Sequence, residues 1–423
     1  MNNKKRKIWE QPWGYKEGFI VASGIALTGF LLQQVLGNIA PASFNYPVNI
    51  IIGALFVIGI IILFLLLKNN KIIRWLSGVY STIPAICVLL GVIVVMGIIP
   101  QFLDTSMVKE LPNDVFNIFG FYQTTTSWIF ILLCFYVLTI LGFTILRRTQ
   151  RKQTWREIGF YLNHAGLFIA FLGGILGSSD LQKMSLRVSE GNVEWRAVDS
   201  NNEIVEVPFA IQLDTFMIEE YPPTLVFIDN HTGKILPAKK PEIYHYDENN
   251  TKFDLAGKKV EILQYIRSAA VVKDSLHVNV FPYFEEGATT ALKVRISGNN
   301  ISNPVEGWVS NGSYMFPQNV LYIDENVSAA MPVQDIKRYQ SDVTVFTKSG
   351  QAKRESIEVN KPMTTVEGWK IYQLSYDIEK VKYSDMSIFE LVHDPWQSVV
   401  YIGIFMLLGG AVFLFVAGPK KRE

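Results

Sequence analysis

The sequence predicts an α-helical integral membrane protein of six spans, with a β-rich extracytoplasmic domain inserted between spans five and six. Apolar runs long enough to cross a hydrocarbon layer recur along the chain. A long polar block of alternating hydrophobicity separates the fifth run from the sixth. A hydrophobic content of 49% together with 18% charged residues is typical of membrane helices joined to a water-exposed domain.

Six apolar runs define the predicted membrane helices. Each contains about twenty residues, enough to span a hydrocarbon layer of roughly 30 Å as a helix. The runs are Phe19–Leu36, Val48–Leu67, Tyr80–Pro100, Trp128–Leu146, Ile158–Gly177 and Val399–Ala417. The chain is therefore expected to divide into an N-terminal helix pair (1–78), three core helices (79–180), the β-rich domain (181–394) and a last helix with a basic tail (395–423).

The distribution of positive charge among the loops predicts the orientation of the protein in the membrane. The N-terminus, the loops after spans two and four, and the C-terminal tail are rich in Lys and Arg, whereas the loops after spans one and three contain only Lys109. Short basic loops stay in the cytoplasm, so both termini are expected there and the polar block outside.

The polar block is expected to form an antiparallel sheet or sandwich. Short stretches with period-two alternation, such as TLVFID, LHVNVF and ALKVRIS, are separated by turn residues. Between Asp180 and Asp394 there are 22 Lys and Arg residues against 31 Asp and Glu residues. This acidic balance argues against a nucleic-acid partner, because phosphates would be repelled.

Missing motifs narrow the function. The two cysteines, Cys87 and Cys134, lie in apolar runs, so the polar block has no disulfide or thiolate metal cage. The sequence has no CxxCH for covalent haem attachment, no GxxxxGK[ST] phosphate loop and no HExxH or GxSxG motif. These absences argue against an ATP-driven pump and a hydrolase.

His164 stands out by hydropathy in the fifth run. An ionisable side chain inside a membrane helix costs on the order of 2 to 3 kcal/mol unless a partner meets it, and it marks a candidate functional site. Helical spacing places Phe160, Tyr161, Leu167, Phe168 and Phe171 on its side, and Gly166, Ala170, Gly173 and Gly177 on the opposite side. The side with the small residues allows another helix to approach closely.

Two interpretations of His164 are equally open on this helix alone. Its bulky surroundings suit a flat apolar macrocycle with a central metal, for which the imidazole would be an axial ligand. Alternatively, the histidine hydrogen-bonds to a neighbouring helix. The helical rise places it about 9 Å from the predicted cytoplasmic end.

Several segments together resemble the ResB (CcsB) cytochrome c biogenesis proteins. VIVVMGIIPQ and DVFNIFGFYQTTTSWIFILLCFYVLTILGFTILRR resemble the family's first two spans, and HAGLFIAFLGGILGSSD resembles its histidine-bearing span. PFAIQLDTFMIEEYPP, YQSDVTVFTKSG, VNKPMTTVEGWKIYQLSYD and DPWQSVVYIGIFMLLGGAVFLF follow in the family's order. The family usually has four spans, so the first two here are an N-terminal addition, and residues 231–340 match no family pattern.

The resemblance implies a subunit of the System II cytochrome c synthase in the bacterial inner membrane. It implies a CcsA/ResC-type partner with a tryptophan-rich WWD motif, apocytochrome c as substrate, and haem b held transiently without a covalent bond. His164 matches the family's membrane histidine, an axial haem ligand near the cytoplasmic entry side. The second axial ligand is expected from the partner. The chain would bind and orient haem, and no catalytic residue is assigned to it.

The other polar residues are expected to have supporting or surface roles. Tyr161 and Asn163 are candidates to orient the imidazole or meet a haem propionate. Gln33 and Gln34 are expected to hydrogen-bond between helices. The other histidines are expected at the surface, His393 as an interfacial anchor beside Trp396; they are His231, His245, His277 and His393. Two alternative functions stay open: a scaffold that docks partner and apocytochrome without haem, and a small-molecule transporter, which would need paired broken helices.

Overall fold

Six long helices confirm the predicted number of spans. The computed structural model describes residues 9–102, 111–274, 277–298, 301 and 303–417. Within them, six helices are long and apolar enough to cross a membrane. They are α1 (Tyr15–Leu36), α2 (Val48–Leu67), α4 (Val79–Ile98), α6 (Trp128–Thr149), α7 (Glu157–Gly177) and α8 (Gln397–Ala417), and the short helices α3 (Lys71–Leu76) and α5 (Val115–Ile118) lie in the loops. The protein is therefore an α-helical integral membrane protein with a β-rich domain between its fifth and sixth spans.

Part of the charge pattern that predicts the orientation lies outside the described residues. The N-terminal basic cluster Lys4–Lys7, Lys109 and the tail 418–423 are in these segments. Arg147 and Arg148 are described and lie in the last turn of α6, where cations interact favourably with the helix dipole. The sidedness of the protein stays a prediction.

Helices α1 and α2 pack against the core helices. A Cβ on Gly18 of α1 would lie 2.3 Å from the Tyr80 carbonyl oxygen of α4, and a Cβ on Gly29 would lie 2.6 Å from the Ile129 Cα of α6. Helix α2 contacts α6 and α7. Glycine permits such close contact, and van der Waals packing drives helix association in lipid. The N-terminal addition is therefore an integral part of the helical unit.

Asp180, just after α7, joins three segments of the helical unit. Its carboxylate accepts hydrogen bonds from Asn49 Nδ2, the Tyr46 backbone N–H and Trp396 Nε1, each at 2.7 Å. Asn49 Nδ2 also donates to the Leu176 carbonyl oxygen at 3.0 Å. Burial raises the pKa of Asp180, but the three hydrogen bonds outweigh it and hold the pKa below its ordinary value. One carboxylate thus ties together the segments that flank α2, α7 and α8.

The polar block forms strands throughout its described residues, arranged in three sheets. The largest sheet contains β1 (Gln182–Ser189), β2 (Val193–Asp199), β3 (Ile204–Glu220), β13 (Ile336–Thr347), β14 (Ala352–Glu358), β15 (Met363–Thr364), β16 (Lys370–Tyr376) and β17 (Met386–His393). A second contains β6 (Lys252–Leu255), β7 (Lys258–Lys273), β8 (Val278–Pro282), β9 (Thr289–Ser297) and β10 (Val305–Ser310). The third contains β4 (Thr224–Asp229), β5 (Tyr244–His245), β11 (Leu321–Tyr322) and β12 (Val327–Ala330).

Two apolar cores stabilise the β-rich domain. The largest sheet has the order β14-β13-β3-β2-β1-β17-β16-β15, and its core includes Leu186, Ile211 and Phe389. The other two sheets share a core that includes Phe227 and Leu292. The pairs of β3 with β13 and of β7 with β9 are antiparallel, as predicted from the alternating hydrophobicity. The second core belongs to the segment between β3 and β13.

The contacts divide the chain into two compact units. One contains the six membrane helices and the other contains nearly all of the three sheets. The main chain passes from the helical unit to the β-rich unit between Lys183 and Met184, and returns between Leu391 and Val392. His164 and its surroundings lie in the helical unit.

Candidate functional site

The imidazole of His164 has one hydrogen bond, made within its own helix. Nδ1 lies 3.0 Å from the Phe160 carbonyl oxygen, one turn earlier on α7. A carbonyl oxygen only accepts, so Nδ1 carries the proton. Nε2 has no hydrogen-bond partner in the part of the chain that the structure describes. In the neutral form, which costs less in lipid than the charged form, the half-buried ring would leave the lone pair of Nε2 available to a metal.

A stack of side chains holds the imidazole in place. The Phe160 ring is stacked on it, with 3.9 Å between ring centroids. The Arg148 guanidinium, from the last turn of α6, lies over the Phe160 ring, with its Cζ 4.9 Å from the ring centroid. Arg148 Nε donates to the carboxylate of Glu157, whose side chain is 7% exposed. The ion pair with Glu157 therefore holds the Arg148 guanidinium in place over the Phe160 ring. The Phe160 ring in turn restricts the imidazole of His164.

The opposite face of α7 is closed by α8, as the small residues predict. A Cβ on Gly166 would lie 2.7 Å from the Gly403 carbonyl oxygen, and a Cβ on Gly177 would lie 2.4 Å from Trp396 Cβ. Gly403 has equally little room, because its Cβ would lie 2.5 Å from the Ala170 backbone nitrogen. Helices α7 and α8 run antiparallel in close backbone contact. This prediction is confirmed, and it directs the histidine away from the α8 interface.

The structure places Tyr161 and Asn163 away from the imidazole nitrogens. Tyr161 Oη donates to Gln153 Oε1 at 3.0 Å, in the loop before α7. Asn163 Nδ2 donates to the Gly159 carbonyl oxygen at 2.8 Å, and its side chain packs against Gly410 of α8. Orientation of the imidazole comes instead from Phe160. A role for either residue toward a haem propionate stays a prediction.

The other polar candidates have the surroundings expected from the sequence. Gln33 bonds to Asn38 and accepts from the Trp128 backbone N–H at 3.2 Å, and Gln34 donates to the Ile118 carbonyl oxygen at 2.5 Å. The exposed histidines are His231, His245 and His277. Within the described residues, no group of three His, Cys, Asp or Glu residues could hold a metal ion. The described residues therefore contain no cluster of three or more such ligands around His164.

His393 lies at the end of the helical unit that contains Asp180. It lines a cavity of about 590 Å³ together with Tyr46, Asp180 and Trp396. Trp396 donates its indole N–H to Asp180 and so serves as a structural link between helices. The role of His393 as an anchor at the membrane interface, beside Trp396, stays a prediction.

The residues on α7 fit one axial position of a haem iron. The observation that decides this fit is the free Nε2 of a neutral imidazole on a face that α8 leaves open. A six-coordinate haem iron held here by His164 would need a second axial ligand.

The sequence analysis missed the residues that support His164. Arg148 was considered only as one of the basic residues of the loop after span four, and Glu157 was not considered. The two residues lie nine positions apart across the loop between α6 and α7. A signal was present in the sequence, since an acidic residue at the start of an apolar run needs a partner. The Asn49 to Asp180 contact had no such signal, because its partners are 131 positions apart.

These features define a multi-pass membrane protein with a histidine on its fifth membrane helix and a β-rich domain inserted before its last span. The ResB-like family matches residues 322–384, which run from β11 to the residues just before β17. This match supports membership of the chain in the ResB-like family and suggests a role in cytochrome c biogenesis. Its first part, residues 322–340, lies in the region that was expected to match no family pattern, so that expectation was wrong for these residues. No curated protein matches the chain.

Proposed function

We propose that this protein is the haem-handling subunit of a System II cytochrome c synthase. The observation that carries the proposal is the neutral imidazole of His164, with Nε2 free on the open face of α7. The family match supports the biological setting. Haem is the cargo of this subunit, and its vinyl groups and the apocytochrome thiols supply the bond-forming chemistry.

In this proposal, the protein binds haem near the cytoplasmic end of α7 and passes it outward. His164 provides one axial bond, and Phe160 holds the imidazole with Nε2 available. Haem is largely apolar, so the lipid-level position favours its ring, while cations near the start of α7 attract its propionates. Arg151, Lys152 and Arg156 are exposed cations of the loop before α7.

A partner completes the proposed complex. Six-coordinate iron needs a second axial ligand, which a CcsA/ResC-type protein with a WWD motif would provide. The β-rich domain would lie outside the cytoplasm and help to position apocytochrome c and its CxxCH thiols. Both termini would then be cytoplasmic, in agreement with the positive charges of the short loops.

Haem content of the purified complex tests the proposal. The chain is co-purified in detergent with its WWD-motif partner, and the haem absorbance band is measured for wild type and His164→Ala. We expect the band to fall to a small fraction of its wild-type intensity in His164→Ala. His231→Ala is the matched control, because this exposed histidine lies in the β-rich domain, and it should leave the band unchanged.

A second readout separates haem handling from scaffolding. If His164→Ala keeps the full haem band and still supports cytochrome c maturation in cells, the scaffold is the correct function. If the variant loses the band but still co-purifies with the partner, docking is intact and haem handling is the lost activity.

A further inference from the structure

The hairpin of β7 and β8 leaves one sheet edge unpaired. Strand β8 pairs with β7 on one side, and on its other side it pairs with no strand of the described residues. The Tyr283 N–H donates to the Ser268 carbonyl oxygen across this hairpin. Hydrogen-bonded and non-hydrogen-bonded pairs alternate in an antiparallel ladder, so every second residue of β8 turns its backbone groups away from β7. These residues are Val278, Val280 and Pro282.

The outward backbone groups of β8 have no partner in the described part of the chain. Val278 and Val280 each present an N–H and a carbonyl oxygen there, and neither residue makes a backbone hydrogen bond beyond the hairpin. Both residues are partly exposed. Pro282 has no N–H, and on this side of the strand its absence removes no bond to β7. Such a row of donors and acceptors can bind an extended chain as a further strand.

Two other long edge strands of the domain are protected. Strand β14 carries Lys353, Arg354 and Glu355, and Lys353 pairs with Glu355. Charged side chains on an edge oppose the addition of another strand. Strand β10 is covered by its own chain, because Asn319 Nδ2 donates to the Trp308 carbonyl oxygen. Strand β8 contains no charged residue and no such cover, so this edge is open.

An exposed apolar surface adjoins the open edge. Val272 and Phe281 lie on the same face of the hairpin, and each is about half exposed. Phe284, in the loop after β8, is 86% exposed. The exposed Tyr314 of a second loop is held beside this one, because its Oη donates to Glu286 Oε1 at 2.8 Å. An added strand would place every second side chain on one face, so apolar residues at alternate positions would meet this surface.

The charge of the domain restricts the occupant of the edge. Between Asp180 and Asp394 the chain has 31 Asp and Glu residues against 22 Lys and Arg residues, and the exposed Glu285 lies close to the edge in sequence. A second copy of this chain would bring the same acidic domain and would be repelled. A neutral or basic polypeptide meets no such repulsion. Its backbone must be unfolded, because the main chain of a folded protein is already paired.

We propose that the β8 edge binds an extended, unfolded polypeptide of neutral or basic charge by strand addition. Its main chain would bond to Val278 and Val280, and its alternate apolar side chains would contact Phe281. The identity of this polypeptide as apocytochrome c before haem attachment rests on the proposed function, whereas the edge itself does not. Recognition through the main chain requires an unfolded segment and no particular sequence.

Peptide binding, followed by fluorescence anisotropy, tests the edge. The probe is a short fluorescent peptide of alternating Val and Thr around an SxxSH sequence, in which serine replaces the cysteines of CxxCH, with one Lys at each end. It is titrated with full-length protein in detergent. Two matched peptides carry backbone N-methyl groups on one or the other set of alternate residues. Only one set of N–H groups can face β8, so we expect one methylated peptide to bind at least about tenfold more weakly and the other to bind like the parent.

A matched pair of substitutions locates the bond on the protein. Val280→Pro removes an outward N–H and leaves the bonds to β7 in place, so it should weaken peptide binding about three- to tenfold, the value of one neutral hydrogen bond. Val280→Ala also shortens the side chain but keeps the N–H, and it should bind like wild type. Thermal unfolding in detergent checks that both variants are folded. If Val280→Pro does not fold, the two methylated peptides decide with wild-type protein alone.

Two results would overturn strand addition by a peptide. Equal affinity of the two methylated peptides would show that the main chain is not recognised. Equal weakening by folded Val280→Pro and Val280→Ala would assign the effect to the side chain. His164→Ala should bind the peptide like wild type, so a failure of the haem proposal would leave this result unchanged.

A third result would assign the edge to a different occupant. If wild type forms dimers in detergent that Val280→Pro separates, and the peptide does not bind, the edge is an interface between two copies of this chain and the proposal is wrong.

Discussion

The two faces of α7 differ in the groups that contact them. One face carries Gly166 and Gly173 and is closed by α8 of the same chain, in backbone contact. The other carries His164, whose imidazole is held by Phe160 and Arg148 but keeps Nε2 free. The first face is complete within the chain. The second has a ring nitrogen without a hydrogen-bond partner among the described residues, and the proposed haem site uses this nitrogen.

Such a division has an energetic basis. Lipid supplies no hydrophobic drive between helices, so α7 and α8 are held by close van der Waals contact along the glycine face. On the histidine face, Phe168 packs against Ile60 and Phe143, whereas the imidazole of His164 makes no hydrogen bond to another helix among the described residues. Substitutions on the two faces should therefore change different properties: stability on the glycine face and ligand binding on the histidine face.

The largest effect is expected on the glycine face. In Gly166→Ala the new Cβ would lie 2.7 Å from the Gly403 carbonyl oxygen and 2.8 Å from Met406 Cβ, so the helices must separate. We expect a loss of about 2 to 3 kcal/mol in the free energy of unfolding, measured by thermal or denaturant unfolding in detergent. Gly174→Ala is the control on the same helix, since its Cβ would meet no atom within 4 Å. Equal stability of the two variants would show that this contact does not hold the face closed.

The next effect is expected at the junction after α7. In Asp180→Asn one of the two carboxylate oxygens becomes an amide nitrogen that faces donors, although Asn49, Tyr46 and Trp396 all donate to this side chain. We expect a loss of about 2 kcal/mol, because hydrogen bonds to a charged group are lost or reversed. The unfolding midpoint in detergent measures it. An unchanged midpoint would mean that the junction contributes nothing to stability.

A smaller effect should appear in the dependence of stability on pH. The pKa of Asp180 in the folded protein lies below its ordinary value, so its contribution is present above the ordinary pKa and is lost as the pH falls through the folded pKa. Unfolding midpoints of wild type and Asp180→Asn should differ near neutral pH and converge as the pH falls below about 4. A difference that grows with falling pH would contradict this assignment.

The smallest change in stability is expected on the histidine face. Phe160→Leu removes the ring stacked on the imidazole but keeps an apolar side chain and the carbonyl oxygen that accepts from Nδ1. We expect the free energy of unfolding to change by less than about 1 kcal/mol, and haem affinity of the complex with its partner to fall severalfold. Haem titration followed by absorbance, beside thermal unfolding, measures both. A large loss of stability with normal haem affinity would reverse the roles of the two faces.

Much of the architecture was predictable from local patterns. Each predicted span overlaps one long helix, because an apolar run of about twenty residues has few alternatives to a membrane helix. Alternation in segments such as TLVFID predicted β4 correctly. The glycine face of α7 also followed from the sequence, since its residues recur at helical spacing. The two separate cores of the β-rich domain did not, because strand order depends on pairings between residues that are distant in the chain.

The sequence by itself determined the six helices, the inserted β-rich domain and the presence of one histidine in a membrane span, because hydropathy and periodicity are local properties. Only the tertiary structure decided that Phe160 and Arg148 support this histidine and that Asp180 ties together the segments around three helices. These are contacts between side chains brought together by helix packing, and sequence spacing fixes neither their partners nor their distances.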